Sequence, residues 1–292
     1  MRLAVRLLRS QWPALVESWL RRFVWDDPRV VFEDDAEPAS FRNAMKAIHV
    51  GGTYKITGKS RHGAADDLLL RHVDLSGAHI LDIGASDGST SVDLVHRLPQ
   101  DFGSYVIADL FLVVQRAMVG HNTLLFDTSG KCILVVGKRF LAWPELSRLA
   151  SLVCSPATRK EHRVGAVRQD VLLLNPEARH LIENDPRVSY ATHNVFEPWP
   201  GRAPDVIKVG NLLRRLYFSD TEICRALCVL LADLPEGGHL LVVDNPRVAG
   251  IALRAGLYRR VGRQFEVVAL TPEEPEIVDL VTSSVVRLAH RA

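Results

Sequence analysis

The sequence predicts an α/β fold: a doubly wound, mainly parallel sheet with helices on both faces. Three observations carry that prediction. From about residue 63 onward, short apolar runs of strand length alternate with stretches of helical periodicity, which is the pattern of βα units. The first run, His79-Ile-Leu-Asp-Ile, opens directly into a turn with glycines four apart, Gly84 and Gly88, followed by a helix start. The 292 residues are 47% apolar and 24% charged, enough apolar material for a packed core, and this composition excludes a disordered, collagen-like or fibrous chain.

The elements follow in order. In MRLAVRLLRSQWPALVESWLRRF, Arg2, Arg6 and Arg9 recur at helical spacing opposite Leu3, Leu7 and Leu8. This predicts an amphipathic helix, broken or restarted near Pro13. The arginines interrupt every apolar run, so a signal peptide is not expected. Residues 26–41, acidic with two prolines, read as a connector, and residues 42–62 as a short helix and a Gly-rich loop. Residues 1–60 are thus expected to form an N-terminal helical cap or lid, and residues 61–292 the main domain.

Strands are predicted at 79–83, 104–108, 188–192, 205–209 and 239–244, with helices near 65–73, 88–98, 176–184, 219–233 and 248–260. The interval from Asp109 to Val188 is far longer than the ~12 residues a crossover requires. Within it, NTLLFD-TSGK-CILVVG is a hairpin signal with Ser-Gly at the turn. A helix is predicted over PELSRLASLV, and residues 159–168 (RKEHRVGAVR) read as a basic loop. Residues of about 111–170 therefore form a β-hairpin/helix insertion, of the kind that serves as a lid or specificity element. At the end of the chain, FEVVALT, PEEPE and IVDLVTSSVV read as strand, loop and strand, a hairpin closing the sheet with an antiparallel terminal strand.

Composition narrows function. The 36 Lys and Arg against 34 Asp and Glu leave a net charge of +2, without the basic surplus of a dedicated nucleic-acid binder. No apolar run approaches ~18 residues, so no membrane span is expected. Cys132, Cys154, Cys224 and Cys228 form no CxxC pair, and the i,i+4 pair Cys224/Cys228 reads as a buried helix face; a reducing, cytoplasmic setting fits. The eleven histidines show no HxxxH, HExxH or His/Cys spacing, so no metal site is expected.

The turn after the first strand carries the chemistry. A dinucleotide site would have GxGxxG, with a pyrophosphate on the helix N-terminus. Here the turn reads GxxxG, and Asp82 beside it would repel a pyrophosphate. Such a turn suits a ligand without phosphates that carries an amine or other positive charge.

The stretch Asp82-Ile-Gly84-Ala-Ser86-Asp-Gly88 resembles the first motif of the class I S-adenosylmethionine-dependent methyltransferases, D/E-x-G-x-G-x-G, with Ser86 in place of the middle glycine. The resemblance covers about residues 60–290 and implies a Rossmann-like methyltransferase sheet with S-adenosylmethionine as cofactor. In that family the second strand ends in an acid that holds the ribose hydroxyls. SYVIADLF supplies Asp109, with Leu110 beside it, 21 residues after Gly88; a carboxylate suits two vicinal hydroxyls. A rival second strand, DVLLLNPEARHLI, ends at Asn175. The third strand, in YATHNVFEP, places Asn194 and Val195 by the adenine, with Asn where the family often has Asp. The fourth, in DVIKVGNLLRRLYFSDTE, places Gly210 and Asn211 along the methyl-donor site. LADLPEGGHLLVVDN resembles the helix, Pro-x-Gly-Gly turn and fifth strand of the family, with Gly237 and Gly238 at the turn. By the same resemblance Asp82, Gly84, Ser86 and Gly88 seat the amino acid part, and Tyr54, near Lys59, is a further donor contact from an N-terminal segment.

The resemblance implies methyl transfer to an oxygen, nitrogen or sulfur atom of a small-molecule acceptor. The reaction is an in-line displacement, which needs positioning and exclusion of water first. A base is needed only where the acceptor must lose a proton. His49, His62, His121 and His193 are the candidates, and the catalytic residues stay unassigned. Arg214 or Arg215 could hold an anionic acceptor, with Tyr217 and Phe218 lining its pocket. No Asn-Pro-Pro-Tyr follows the fourth strand and no RNA-binding module is appended, so nucleic acid is not an expected partner. The apolar N-terminal helix would suit a homodimer. A methyltransferase acting on protein or RNA, and a non-catalytic S-adenosylmethionine-binding protein on the same fold, remain as alternatives.

Overall fold

The computed structural model describes residues 4–50, 53–54, 58, 60–245 and 252–283. The chain begins with β1 (Val5–Leu8), α1 (Ala14–Trp19), β2 (Val24–Trp25), α2 (Pro38–Met45), β3 (His49–Val50) and β4 (Thr53–Tyr54). Next come α3 (Gly63–His72), β5 (His79–Ile83), α4 (Ser89–Val95) and β6 (Ser104–Asp109). A strand-rich stretch follows: β7 (Val113–Val119), β8 (Asn122–Phe126), β9 (Cys132–Val136), β10 (Phe140–Ala142), α5 (Arg148–Val164) and β11 (Gln169–Leu172). The rest is α6 (Pro176–Asn184), β12 (Val188–Thr192), β13 (Val206–Gly210), α7 (Asp220–Asp233), β14 (His239–Asp244), β15 (Arg254–Val261), β16 (Gln264–Leu270) and α8 (Val278–Val281).

Two compact units result: Met1–Ile56 with Phe111–Pro176, and Thr57–Leu110 with Glu177–Ala292. The second holds the predicted sheet, in the order β12-β6-β5-β13-β14-β15-β16. The first five strands run parallel, with β5 in the middle, paired in register to β6 on one side and β13 on the other. Alternate residues serve opposite faces, as the strand period requires. Leu81, Ile83, Ile207, Val209, Leu240 and Val242 share one core with Ile223, Leu227, Leu230 and Leu231 of α7. Helix α7 starts at a reciprocal cap, in which Ser219 accepts from the Glu222 amide while the Glu222 carboxylate accepts from the Ser219 amide. From the opposite face of β13, Lys208 reaches Asp66 of α3 at 2.9 Å, both fully buried.

The end of this unit corrects the sequence reading. Residues 254–260, expected as helix, lie in β15, and FEVVAL lies in β16, so the hairpin is upstream of the predicted one. Gly262, at φ +59°, turns the chain between them. Strand β15 runs antiparallel to β14, and Val278–Val281, expected as strand, is helical. Leu257 and Tyr258 are wholly buried and Gly256 lies against the Tyr258 ring, a packing that overrides the helical periodicity. Residues 284–292, where the predicted last strand ends, lie outside the described residues.

The first unit is a seven-stranded sheet in the order β11-β7-β8-β9-β10-β1-β2, antiparallel except for β1 with β2. The predicted hairpin is β8–β9. Asp127 shapes its turn by accepting from the Ser129 and Lys131 amides, and Gly130 takes φ +84°. Both faces of the sheet are covered. Leu125, Leu134, Val136 and Leu141 pack with Phe41 and Met45 of α2, whereas Leu124, Phe126, Val135 and Ala142 pack with Cys154 of α5. Two expectations change here. Val5–Leu8 is a strand, because its backbone pairs with β10 and β2 and buries Leu8 completely; a helix begins only after Pro13. Residues 159–164, expected as loop, are the last turns of α5, which ends at Gly165 in the left-handed region.

Candidate active site

The carboxyl ends of the parallel strands gather the residues singled out by the motif. Between β5 and α4 the backbone turns left-handed three times, at Gly84 (φ +78°), Ser86 (φ +60°) and Gly88 (φ +79°). The amides of Gly84 and Ala85 both donate to the Ala108 carbonyl, at 2.8 and 3.1 Å. A Cβ on Gly84 would stand 3.1 Å from the Leu212 side chain, so glycine is needed here for conformation and for space alike. Ser86 takes the left-handed conformation that favours glycine, and its Oγ is buried without a hydrogen-bond partner among the described residues. Asp82 is buried at the base of the turn, where its Oδ2 accepts from Ser91 and Tyr105, each at 2.7 Å. It thereby ties α4 and β6 to the turn.

Asp109 ends β6, the strand beside β5, and its Oδ2 accepts from the Ser86 amide at 2.9 Å. The rival Asn175 follows β11, which belongs to the other sheet and pairs with β7. The second strand of the parallel sheet therefore ends at Asp109. Leu110 next to it is 42% exposed. After β12, the His193 amide donates to the Asp109 carbonyl, and its ring meets Trp199 edge-on. Burial holds the His193 imidazole below its ordinary pKa. Asn194 closes a tight turn, its side-chain oxygen accepting from Phe196 and its amide donating to Glu197, while Val195 is buried.

At the end of β13 the His62 ring lies directly on Gly210, where a Cβ would come within 2.5 Å of Cε1. Asn211, left-handed at φ +58°, contacts His62 Nε2 at 3.2 Å and donates to Asn245 Oδ1 at 2.8 Å. The Asn245 amide donates back to Asn211 Oδ1, and the Asn245 side chain donates to the Arg61 carbonyl. The amide pair thus locks the ends of β13 and β14 to the start of α3. Burial, with Lys208 and Arg61 close by, pushes the His62 pKa well below the ordinary 6.5, so the ring is neutral. Asn245 is a site residue the sequence reading missed; its place after the fifth strand, matching Asn211 after the fourth, was the available signal.

Other predicted residues disperse. Arg214 is mostly buried, 3.5 Å from Glu276 and 4.0 Å from Asp244, and donates to the Asn245 carbonyl. Arg215 is held by Asp220, Asp279 and the Glu276 carbonyl, so its charge is already matched. Phe218 packs against the core and Phe196, and Tyr217 is 37% exposed. Of the four candidate histidines, His62 and His193 belong to this unit. His49 stacks on Trp143 and His121 lies between β7 and β8, both in the antiparallel unit. Tyr54 pairs with His49 in the β3–β4 ladder, and Lys59 lies outside the described residues. Among the described residues no group of His, Cys, Asp and Glu could hold a metal ion, and no helix is long and apolar enough to cross a membrane.

No protein-family model and no curated protein matches the chain. Solved structures do. The mitomycin 7-O-methyltransferase MmcR matches with 16% identity over 77% of this chain and 44% of its own, at a TM-score of 0.34. CalS10, an amino pentose methyltransferase from Micromonospora echinaspora with S-adenosylmethionine bound, matches with 14% identity over 77% of this chain and 82% of its own, at 0.35. The [4+2]-cyclase SpnF matches with 17% identity over 67% and 50%, at 0.31. The chain thus spans less than half the length of MmcR. At these scores the likeness carries no weight for function.

Proposed function

We propose that the carboxyl edge of the parallel sheet binds S-adenosylmethionine and that the protein transfers its methyl group to an oxygen, nitrogen or sulfur atom of a small-molecule acceptor. One observation carries this reading: a triple left-handed turn after the central strand, hydrogen-bonded through Ser86 to the acid that ends the neighbouring strand. The donor set suits the ligand. S-adenosylmethionine carries a sulfonium and an ammonium, a ribose diol and no phosphate. Asp109 offers a carboxylate for the diol, and the buried, unpartnered Ser86 Oγ and His193 Nε2 offer hydrogen-bonding capacity along the same edge. Asn194 and Val195 supply an amide and an apolar surface for the adenine.

When bound, the cofactor supplies an activated methyl group on sulfur. The chain's own residues position it and keep the local charge low. Lys208 is paired with Asp66, and His62 stays neutral, so neither of these two side chains sets an unpaired positive charge against the sulfonium. The Asn211–Asn245 pair holds those ends rigid, which favours the in-line geometry that displacement requires. Incubation with methyl-labelled S-adenosylmethionine and a panel of phenols, amines and thiols tests the reading. Labelled product and S-adenosylhomocysteine are expected, reduced roughly ten- to hundred-fold in Asp109→Ala at limiting donor by loss of a charged hydrogen bond. Binding of the donor without transfer to any acceptor class would instead favour a non-catalytic role.

A further inference from the structure

The antiparallel unit carries a second feature, unrelated to the proposed methyl-donor site. At one end of its sheet, the β7–β8 turn, the β9–β10 turn and the outer face of α5 enclose a depression of about 600 Å³. His121, Lys138, Arg139 and Lys160 line it, with Phe140 and Pro156, and no acid does. These lining residues come from three separate stretches of sequence, so the cluster is invisible along the chain. Some basic side chains elsewhere in this unit have acidic partners, as Lys131 has Glu145 and Arg168 has Glu161. The basic run of 159–168 contains one acid, Glu161, and that acid is buried and consumed by Arg168. Lys138, Arg139 and Lys160 have no such partner among the described residues.

The depression is also shaped. The Arg139 guanidinium lies over the Trp12 ring, 5.6 Å from its centroid, and the Trp12 indole donates to the Arg139 carbonyl at 2.9 Å, which restricts the arginine before any ligand arrives. The Phe140 ring folds back over Gly137, where a Cβ would come within 2.8 Å of it, and gives the depression an aromatic wall. Lys160 Nζ faces Gly120 in the β7–β8 turn, 3.8 Å from where a Cβ would stand. Three permanent cations around one aromatic surface exceed what a single carboxylate would balance. They suit a doubly charged phosphate, which the arginine fork can grip, joined to a flat ring that can lie on Phe140.

We propose that this depression binds a phosphate ester carrying an aromatic base, either a free nucleotide or a nucleotide of an RNA strand. The full-length protein is titrated at 50 mM salt with a fluorescein-labelled 12-nucleotide RNA followed by anisotropy, and with AMP by calorimetry. Saturable binding of either probe is expected. RNA displaced by AMP would assign a nucleotide pocket, and RNA that AMP leaves bound would assign a track for the phosphate chain; both support the site. Lys138→Ala with Arg139→Ala should weaken binding about ten-fold and flatten the salt dependence of RNA binding by about 1.4 log units per log unit of salt, the share of two phosphate contacts on a single strand. Arg202→Glu, exposed in the other unit, changes net charge by the same amount and should bind like wild type. Lys160→Ala is the second variant should the double one melt early. Absence of binding by both probes to the wild-type protein would overturn the proposal, as would equal losses in Arg202→Glu and the double variant.

Discussion

The two units differ in how they are stitched. In the parallel unit each strand is followed by the turn that positions it, and the motif residues of β5 and its turn lie within ten residues. In the antiparallel unit the sheet is closed by β1 pairing with β10, Val5 opposite Ala142, from opposite sides of the intervening βα units. Trp143 is the tie. It is 2% exposed, donates to the Ala47 carbonyl at 2.7 Å, stacks on His49 and meets Trp25 edge-on. The parallel unit has a fully buried long-range tie, Lys208 to Asp66, and it is ionic. One unit is held by an aromatic anchor and the other by a buried charge pair, and the two should fail differently.

Lys208→Met leaves Asp66 buried without its counter-charge and should cost about 3–5 kcal/mol in urea unfolding. Adding Asp66→Leu removes the stranded carboxyl and should return most of that loss. If the double variant were as unstable as the single one, the pair would be a packing feature and not an electrostatic one. Trp143→Ala should cost a similar ~3–5 kcal/mol through the cavity it leaves. No second substitution should rescue it, and Trp143→Phe should recover the apolar share while the Ala47 carbonyl stays unpartnered.

What could be read in advance follows the same division. The strands at 79–83, 188–192 and 239–244 match the structure because local turn signals and apolar runs define them. The Val5–Leu8 strand escaped because its arginines and leucines do follow a helical period, and only pairing with β10 overrules it. The terminal hairpin lies elsewhere because the helical period over 248–260 is overruled by the pairing of Arg254–Val261 as β15, with Gly262 at the turn into β16. In the candidate site the turn and Asp109 were legible. The locking of Asn211 to Asn245 and the stacking of His62 on Gly210 were not, since these contacts span 34 and 148 residues and leave no local pattern.

Acid should expose the parallel unit first. The His62 imidazole is held neutral in the fold, whereas an unfolded chain takes up a proton below about pH 6.5. Stability from this group is therefore complete above that pH and lost as pH falls through it toward the lower folded value. The loss approaches about 1.4 kcal/mol per pH unit while only the unfolded chain is protonated. His193 and His239, also held low by burial, add in the same direction. Melting temperatures at pH 7.5, 6.5 and 5.5 should fall progressively, and His62→Gln should flatten the decline. An unchanged slope in that variant would remove His62 from the account.

The smallest effect concerns Ser86. Its left-handed backbone is strained for any residue with a Cβ, so Ser86→Gly should stabilise the fold by up to about 1 kcal/mol while leaving the turn intact. A loss of stability on that change would mean that the buried hydroxyl contributes more than the backbone strain costs.

The central claim, that the turn and Asp109 together form a methyl-donor site, is tested most directly by calorimetric titration of the full-length protein with S-adenosylmethionine and S-adenosylhomocysteine, repeated on Asp109→Ala. Saturable binding of both ligands, weakened at least about ten-fold in the variant by loss of a charged hydrogen bond, is the predicted result. A folded protein that binds neither ligand would contradict it.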